Sequence, residues 1–153
     1  MADDSRYGFY EFFCGGGMAR LGLGPRWRCD FANDIDREKI AAYARNFGAA
    51  DLHAGDIADV SADALPGEAD LAWASFPCQD LSLAGPRCGL KGERSGVFYQ
   101  FWSLIEALKD QRRAPRMIGL ENVTGLLTCS GGADFTALCA ALEAGGYRFG
   151  ALE

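Results

Sequence analysis

The residue of this sequence with the clearest chemical potential is Cys78, which follows Phe76 and Pro77 and precedes Gln79. A cysteine thiolate is a strong nucleophile once its surroundings favour the ionised form. Proline disfavours helical backbone in the residue before it, so Cys78 is expected on a rigid turn directly after a strand. The other five cysteines lie in apolar segments or ordinary loops, where thiols usually serve as inert filler. The pattern predicts a nucleophile at position 78.

A second group with chemical potential is the carboxyl group of Glu121, which ends the apolar segment of residues 117–120 and precedes Asn122. A carboxyl group at the end of an apolar strand is costly unless it is hydrogen-bonded, and it can stay protonated and donate a hydrogen bond. The alternative is a glutamate that caps a following helix.

Three cations, Arg87, Lys91 and Arg94, follow Cys78 in a long loop rich in glycine and charge. They could bind the phosphates of a substrate, and their positive charge would lower the pKa of a nearby thiol. The alternative is an ordinary solvated loop. With the thiol beside them, we assign these cations and Gln79 to substrate binding.

A nucleoside-binding turn is indicated by Gly15 and Gly17, which follow the first apolar segment. The dinucleotide-binding pattern would also need a glycine at position 20, where Arg20 stands, so a plain pyrophosphate site is disfavoured. Asp34 follows the second strand, where a carboxylate can accept hydrogen bonds from ribose hydroxyls. Asp56 follows the third. The alternative is a tight turn beside a solvated aspartate.

The elements that must position these residues alternate between strand and helix patterns, which predicts a parallel α/β sheet with right-handed crossovers. In such a sheet ligands bind at the carboxyl ends of the strands, where all of the candidate residues fall. A sixth strand is expected from residue 147, and because the chain stops within it we expect a truncated domain. The predicted strands are residues 8–14, 27–32, 51–54, 70–76 and 117–120, and the predicted helices are residues 18–23, 36–47, 97–108 and 134–144.

The amino-acid composition excludes several classes of protein to which this chain could belong. The 153 residues suit one domain, and 49% hydrophobic content supplies a core. A net charge of −6 excludes a freestanding nucleic-acid binder that works through bulk charge. Six cysteines without a C-x-x-C pair, and the single histidine His53, make a metal site unlikely on spacing grounds. No signal sequence or membrane-spanning segment is evident, so we expect a reducing, cytoplasmic compartment and no membrane partner.

The motifs as a set resemble those of the cytosine-C5 DNA methyltransferases. Residues 12–17, 76–79 and 121–123 match the family in order and spacing, and the similarity runs from about residue 10 to the end of the chain. The resemblance implies a Rossmann-like fold, S-adenosylmethionine as the methyl donor and double-stranded DNA as the substrate. It implies that residues 1–153 are a partial catalytic domain, truncated before its last strands.

The resemblance also implies a role for each matched residue. For the cofactor, Gly15 and Gly17 match the binding turn and Phe13 the residue that packs on the adenine. Asp34 matches the ribose-binding acid. Two further matches are Ile35, a second adenine contact, and Asp56, the acid that meets the adenine amino group.

For catalysis, the resemblance assigns Cys78 as the nucleophile of the Pro77–Cys78 motif and Glu121, beside Asn122, as the acid that holds the cytosine edge. Arg94 resembles the start of the motif before the fourth helix. The family also carries an activating Gln-x-Arg-x-Arg segment, a target-recognition region and a last helix that completes the cofactor pocket. None of these is in the sequence, so we expect DNA binding through the missing region and, as a possible partner, a complementary C-terminal half.

Three other functions stay open at this point. The same chemistry could act on tRNA cytosine, since a related group modifies RNA. The chain could be a non-catalytic, S-adenosylmethionine-binding half of a split or degenerate methyltransferase. It could also be an unrelated thiol hydrolase, for which His53 is the only candidate base and nothing ties it to Cys78.

Overall fold

A computed structural model of the protein describes residues 7–77 and 96–152. In this part of the chain five strands alternate with four α-helices, as the sequence pattern predicts, except that two short 3-10 helices, Ile57–Asp59 and Ala62–Ala64, connect the third strand to the fourth. Over the same residues, no helix has the length and apolar character needed to cross a membrane. The strands are β1 (Tyr7–Phe12), β2 (Trp27–Asp34), β3 (Leu52–Ala54), β4 (Leu71–Ala74) and β5 (Met117–Leu120), and the helices are α1 (Met18–Leu23), α2 (Arg37–Phe47), α3 (Val97–Asp110) and α4 (Ala133–Ala144).

All paired strands run parallel, in the spatial order β3-β2-β1-β4-β5. The chain builds outward from β1 through β2 to β3 and then returns to the other side of β1 for β4 and β5. The direction of building therefore reverses between β1 and β4, which is the position where open α/β sheets bind their ligands. This is the predicted Rossmann-like α/β fold.

Helices cover both faces of the sheet because successive residues of a strand point to opposite faces. Tyr10 and Phe12 of β1 pack in the larger cluster, which holds the apolar face of α3 and part of α4. Phe9 of β1 packs in the smaller cluster with Tyr43 of α2. Since β1 is central and buried on both faces, its sequence is a continuous apolar run interrupted by a single acid, Glu11.

The helix and strand boundaries predicted from the sequence are close to those in the structure, with one error. Helix α1, helix α2 with its N-cap Asp36, and strand β5 begin and end as predicted. The predicted sixth strand is wrong, because Tyr147–Leu152 are not a strand in the structure. A strand needs a ladder of backbone hydrogen bonds. The Tyr147 amide instead returns to the carbonyl of Leu142 at the end of α4, and its hydroxyl donates to the carbonyl of Pro115.

The ionisable side chain of Glu11 is buried where β1 meets helices α1 and α2. Glu11 is 1% exposed, and its carboxylate accepts hydrogen bonds from the Tyr43 hydroxyl at 3.5 Å and from the Arg20 amide at 3.4 Å. The Arg20 guanidinium donates to the same hydroxyl and lies 4.9 Å from the centre of the Phe47 ring. Burial raises the pKa of Glu11 from 4.5 to about 7, and the hydrogen bond from Arg20 opposes that rise.

This pKa gives a testable dependence of stability on pH. Between pH 4.5 and 7 the folded protein keeps a proton on Glu11 that the unfolded chain has lost. The free energy of unfolding therefore falls as the pH rises through this window, and the loss is complete above it. We expect Glu11 to contribute a decrease of roughly 2–3 kcal/mol between pH 5 and pH 8.

The measurement is urea unfolding of wild type and Glu11→Gln at both pH values. Other carboxyl groups titrate equally in the two proteins, so the difference isolates Glu11. Parallel pH profiles for the two proteins would contradict the assignment.

Candidate active site

Two aromatic rings flank the point where the building direction of the sheet reverses. Phe13 follows β1, Phe76 follows β4, and their ring centres lie 6.4 Å apart at an interplanar angle of 71°. The backbone of Phe13 has φ +55°, a left-handed conformation that costs a non-glycine residue about 1–2 kcal/mol. Such strained conformations are found most often at functional sites.

The glycine turn that follows Phe13 has one side open and one side packed. Gly15 has φ +55°, and a Cβ at either Gly15 or Gly16 would meet no atom within 4 Å. Gly17 has φ +86°, and a Cβ there would lie 2.3 Å from Cε2 of Phe47. The turn can therefore approach a ligand through Gly15 and Gly16, while Gly17 lets α1 begin against α2.

The carboxylate of Asp34 holds this turn against the end of β2. Its Oδ2 accepts from the amide of Gly15 at 2.8 Å, and its Oδ1 accepts from the amide of Asp36 at 2.9 Å. Asp34 is buried, so the alternative of a solvated aspartate is wrong. Because a carboxylate oxygen has more than one lone pair, each oxygen keeps capacity to accept from a ligand hydroxyl.

Asn33, one residue earlier, holds the loop after β3. Its side-chain amide donates to the carbonyls of His53 at 3.1 Å and Gly55 at 2.9 Å, and it is almost fully buried. Asp56 follows directly. It lies exposed at the same edge and accepts from the amide of Ala58, where a short 3-10 turn begins. The end of β2 thus sets the positions of both neighbouring loops.

Ile35 lies exposed between these loops, with 65% of its surface open to solvent. A large apolar side chain held in water gains free energy when a ligand covers it, and the flat face of a heterocyclic base would do so. The predicted cofactor residues that the structure brings together at this edge are Phe13, Gly15, Gly17, Asp34, Ile35 and Asp56.

On the other side of the reversal point, Asn122 holds the segment that leads to Cys78. The Asn122 side-chain amide donates to the carbonyl of Phe76 at 2.9 Å, and its oxygen accepts from the amide of Val123 at 2.8 Å. The exposed Pro77 comes next in the chain. The predicted catalytic residues Pro77, Glu121 and Asn122 therefore lie at the ends of the adjacent strands β4 and β5.

Glu121 is exposed, and its side chain has one hydrogen bond to the residues that the structure describes. Its Oε2 accepts from the hydroxyl of Ser75 at 2.7 Å, and the Ser75 oxygen in turn accepts from the indole of Trp73 at 2.9 Å. The alternative of a helix cap is wrong, because the short 3-10 helix Thr124–Leu127 has no side-chain cap. The predicted position of Glu121 directly after a strand is confirmed, whereas Ser75 and Trp73 were not among the predicted site residues.

Several predicted residues lie outside the described part of the chain. They are Cys78, Gln79, Arg87, Lys91 and Arg94.

Two free thiols in the described part, Cys14 and Cys29, are buried and unsuited to nucleophilic chemistry. Burial, helped by the nearby charges of Glu11 and Asp34, raises the pKa of Cys14 far above its usual range. Burial raises the pKa of Cys29 to about 11. A thiol that holds its proton is a poor nucleophile, so these cysteines act as apolar filler.

His53 is remote from the ends of β4 and β5, where the predicted catalytic residues lie. It lies on β3, the strand at the opposite edge from β5, and its ring stacks on Phe31 at 5.9 Å. Over residues 7–77 and 96–152, no three His, Cys, Asp or Glu side chains come close enough to hold a metal ion.

Comparison with known proteins shows which family the sequence matches. The model of the family described as C-5 cytosine-specific DNA methylase matches residues 7–151. The type II methyltransferase M.BsuFI of Bacillus subtilis is 31% identical over 140 residues, which are 91% of this chain and 32% of that protein. M.DsaV of Dactylococcopsis salina is 39% identical over 121 residues, which are 77% of this chain and 32% of that protein.

Among solved structures, the Dnmt2 methyltransferase of S. pombe aligns with a TM-score of 0.61 at 20% identity, covering 88% of this chain and 39% of that one. This likeness supports the fold. The chain spans about a third of the length of the curated relatives it matches.

The packed and open sides of the glycine turn predict unequal losses of stability when a methyl group is added. Gly17→Ala should lower the free energy of unfolding by about 2–4 kcal/mol, because the methyl group meets the Phe47 ring and the backbone is left-handed. Gly16→Ala, with ordinary φ and open space, should change it by less than about 1 kcal/mol. Chemical denaturation measures both, and equal losses would contradict the described packing.

Proposed function

Because the chain belongs to the family of C-5 cytosine-specific DNA methylases, we propose that it forms the cofactor-binding and catalytic part of an enzyme that methylates C5 of cytosine in DNA. S-adenosylmethionine is the proposed methyl donor. One observation carries the proposal: the turn at Gly15 and Asp34 lies on one side of the β1–β4 reversal point, and Glu121 with Asn122 lies on the other. A cofactor and a base would therefore meet between them.

The residues on the cofactor side fit S-adenosylmethionine. The open space beside Gly15 admits the methionine and ribose part, and Asp34 keeps lone pairs for the ribose hydroxyls. Ile35 and Phe13 offer apolar surfaces for the adenine. The exposed carboxylate of Asp56 can accept from the adenine amino group. When bound, the cofactor supplies an electrophilic methyl group on a sulfonium centre.

Cytosine C5 is a poor nucleophile, so the proposed reaction begins elsewhere on the ring. The thiolate of Cys78 forms a bond to C6 while Glu121 supplies a proton to N3, which makes C5 enamine-like. C5 then takes the methyl group. A base removes the C5 proton, the bond between sulfur and C6 breaks, and N3 returns its proton to Glu121, which restores the aromatic ring and the free thiolate.

The base must leave the duplex before this chemistry, at a cost of a few kcal/mol. We propose that Gln79, Arg87, Lys91 and Arg94 contact the flipped nucleotide or its phosphates. The remaining affinity for DNA must come from residues equivalent to the other two thirds of the relatives, in the same chain or in a partner chain, because a net charge of −6 opposes binding to a polyanion.

A groove beside β5 offers a place for such residues. It has a volume of about 650 Å³ and runs along the strand edge that has no neighbour among the described residues. Its walls include Leu120, Leu126 and Leu138, which are apolar. Unpaired strand edges readily accept another strand, so we propose this edge as the contact for a complementary segment.

The comparisons favour DNA over tRNA, since the matching family is one of DNA methylases. A non-catalytic, cofactor-binding half is the other function that the geometry allows. Such a half would bind the cofactor without performing catalysis, so the two properties are tested separately.

Cofactor binding is tested on Asp34. We expect Asp34→Ala to weaken binding of S-adenosylmethionine by about 1–3 kcal/mol, because it loses acceptors for the ribose and releases the Gly15 amide. The matched control is Asp36→Ala, which also removes a carboxylate bonded to backbone amides, but at the start of α2. Calorimetry that shows equal affinity for wild type and Asp34→Ala would count against the site.

Catalysis is tested with DNA that carries 5-fluorocytosine. Methyl transfer to this base still occurs, but fluorine cannot leave as a proton does, so the bond between Cys78 and C6 persists and the protein is trapped. We expect Cys78→Ser to abolish the adduct while cofactor binding stays intact, because a hydroxyl is a far weaker nucleophile near neutral pH. Glu121→Gln should slow adduct formation strongly, since an amide supplies no proton to N3.

The assay uses the protein together with the segments that its relatives carry, so that a base can be flipped. Cys88→Ser is the control for general thiol reactivity and should change little. An adduct that survives in Cys78→Ser, or none in a wild type that binds both DNA and cofactor, would refute the nucleophile. tRNA that carries 5-fluorocytosine, tested in the same assay, distinguishes the two substrates.

A further inference from the structure

Three residues form a chain of hydrogen bonds that ends on the proposed catalytic acid. The indole N–H of Trp73 donates to Oγ of Ser75 at 2.9 Å, and the Ser75 hydroxyl donates to Oε2 of Glu121 at 2.7 Å. Trp73 and Ser75 are two residues apart, so they share one face at the end of β4. Glu121 lies beside them just after β5, where its amide donates to the carbonyl of Ala74.

The direction of these bonds follows from the chemistry of the groups. An indole N–H can only donate, so Ser75 Oγ must accept from it. The single hydroxyl proton is then free for Glu121, and donation by the indole polarises the hydroxyl into a better donor. Oε2 is therefore held as an acceptor. In the described part of the chain, Oε1 has no hydrogen-bond partner.

The fixed acceptor at Oε2 is compatible with both protonation states of the acid. A neutral carboxyl group can accept at Oε2 as its carbonyl oxygen while Oε1 carries the proton. After the proton leaves, Oε2 accepts in the same way as part of a carboxylate. The side chain would thus keep its position while a proton moves on and off Oε1. Without this bond, an exposed glutamate would spread over many rotamers.

The absence of a side chain at Gly119 makes room for this chain of hydrogen bonds. It is the residue paired with Trp73 across β4 and β5, and a Cβ there would lie 2.5 Å from Cε3 of the indole. The indole can therefore lie flat over β5, where its N–H reaches Ser75. The glycine, the tryptophan and the serine serve one arrangement, which is the orientation of the Glu121 carboxyl group.

We infer that Trp73 and Ser75 are positioning residues for Glu121, which leave Oε1 as the oxygen that exchanges a proton with N3 of the base. The inference rests on the proposed function, in which Glu121 meets the cytosine. Beyond that function, the inference identifies Oε1 as the oxygen that exchanges the proton, and Trp73 and Ser75 as the residues that leave it available.

The hydrogen bonds themselves are tested by NMR on the protein without substrate. The sequence has three tryptophans, so three indole N–H signals are expected, and Trp→Phe variants assign them. Ser75→Ala should move the Trp73 signal and leave the others in place. Ser75→Thr, which keeps a hydroxyl, should leave all three near their wild-type positions. An unmoved Trp73 signal in Ser75→Ala would overturn the inference.

The role in the reaction is tested by single-turnover methyl transfer to unmethylated DNA of mixed sequence, with the relatives' remaining segments supplied. Ser75→Ala should slow transfer about tenfold and Trp73→Phe a few-fold, from the loss of one hydrogen bond in each case. Neither should weaken binding of S-adenosylmethionine. Ser75→Thr should restore the rate to within about twofold, which distinguishes a hydroxyl requirement from a packing defect.

Trp102→Phe is the matched control. Its indole also donates to a glutamate, Glu106 at 3.1 Å, but within α3 and away from the strand ends. It should leave the transfer rate unchanged. Rates for Ser75→Ala equal to wild type, or for Ser75→Thr as slow as for Ser75→Ala, would overturn the positioning role. A wild type that gives the NMR result but transfers no methyl group would instead refute the proposed function.

Discussion

Side chains at the ends of neighbouring strands hold the loops at the carboxyl edge of this sheet, and the site depends on these bonds. When a strand leaves a parallel sheet, its backbone groups lose their ladder partners and need others. Asp34 bonds the amide of Gly15 after β1, Asn33 bonds the carbonyls of His53 and Gly55 after β3, and Asn122 bonds the carbonyl of Phe76 after β4. Each loop is thereby fixed by the adjacent strand rather than by itself.

This arrangement separates the tasks of the two sides of the reversal point. On the β1–β2 side, the bonding groups are buried and the exposed surface is left to Ile35 and the open face of Gly15. That surface suits a ligand with an apolar ring, which covers Ile35, and a polar part that lies against the backbone of Gly15. On the β4–β5 side, the bonding groups orient an exposed acid and the turn that leads to a thiol. In the proposed function, the first side binds the cofactor and the second performs the chemistry.

The sequence predicts most of this fold because its signals are local. Apolar runs, glycine turns and the N-cap Asp36 mark elements whose boundaries depend on nearby residues. The site residues at strand ends were predictable for the same reason. Asn33 and Ser75 were missed, since small polar residues at strand ends are common and their roles depend on which strands become neighbours. The error at Tyr147 has the same origin, because a strand forms only where a partner exists.

The exposure of Glu121 explains why the proposed chemistry needs more than the described residues. A hydrogen bond from a carboxyl group to N3 is strong only where water is excluded. In the structure, one wall of that environment exists: Ser75 and Trp73 lie behind the carboxyl group, and its other side is open to solvent. The flipped base and the segments around it must supply the remaining walls. Binding of the base would then strengthen the hydrogen bond that activates it, so that catalysis follows from a complete complex and not from Glu121 alone.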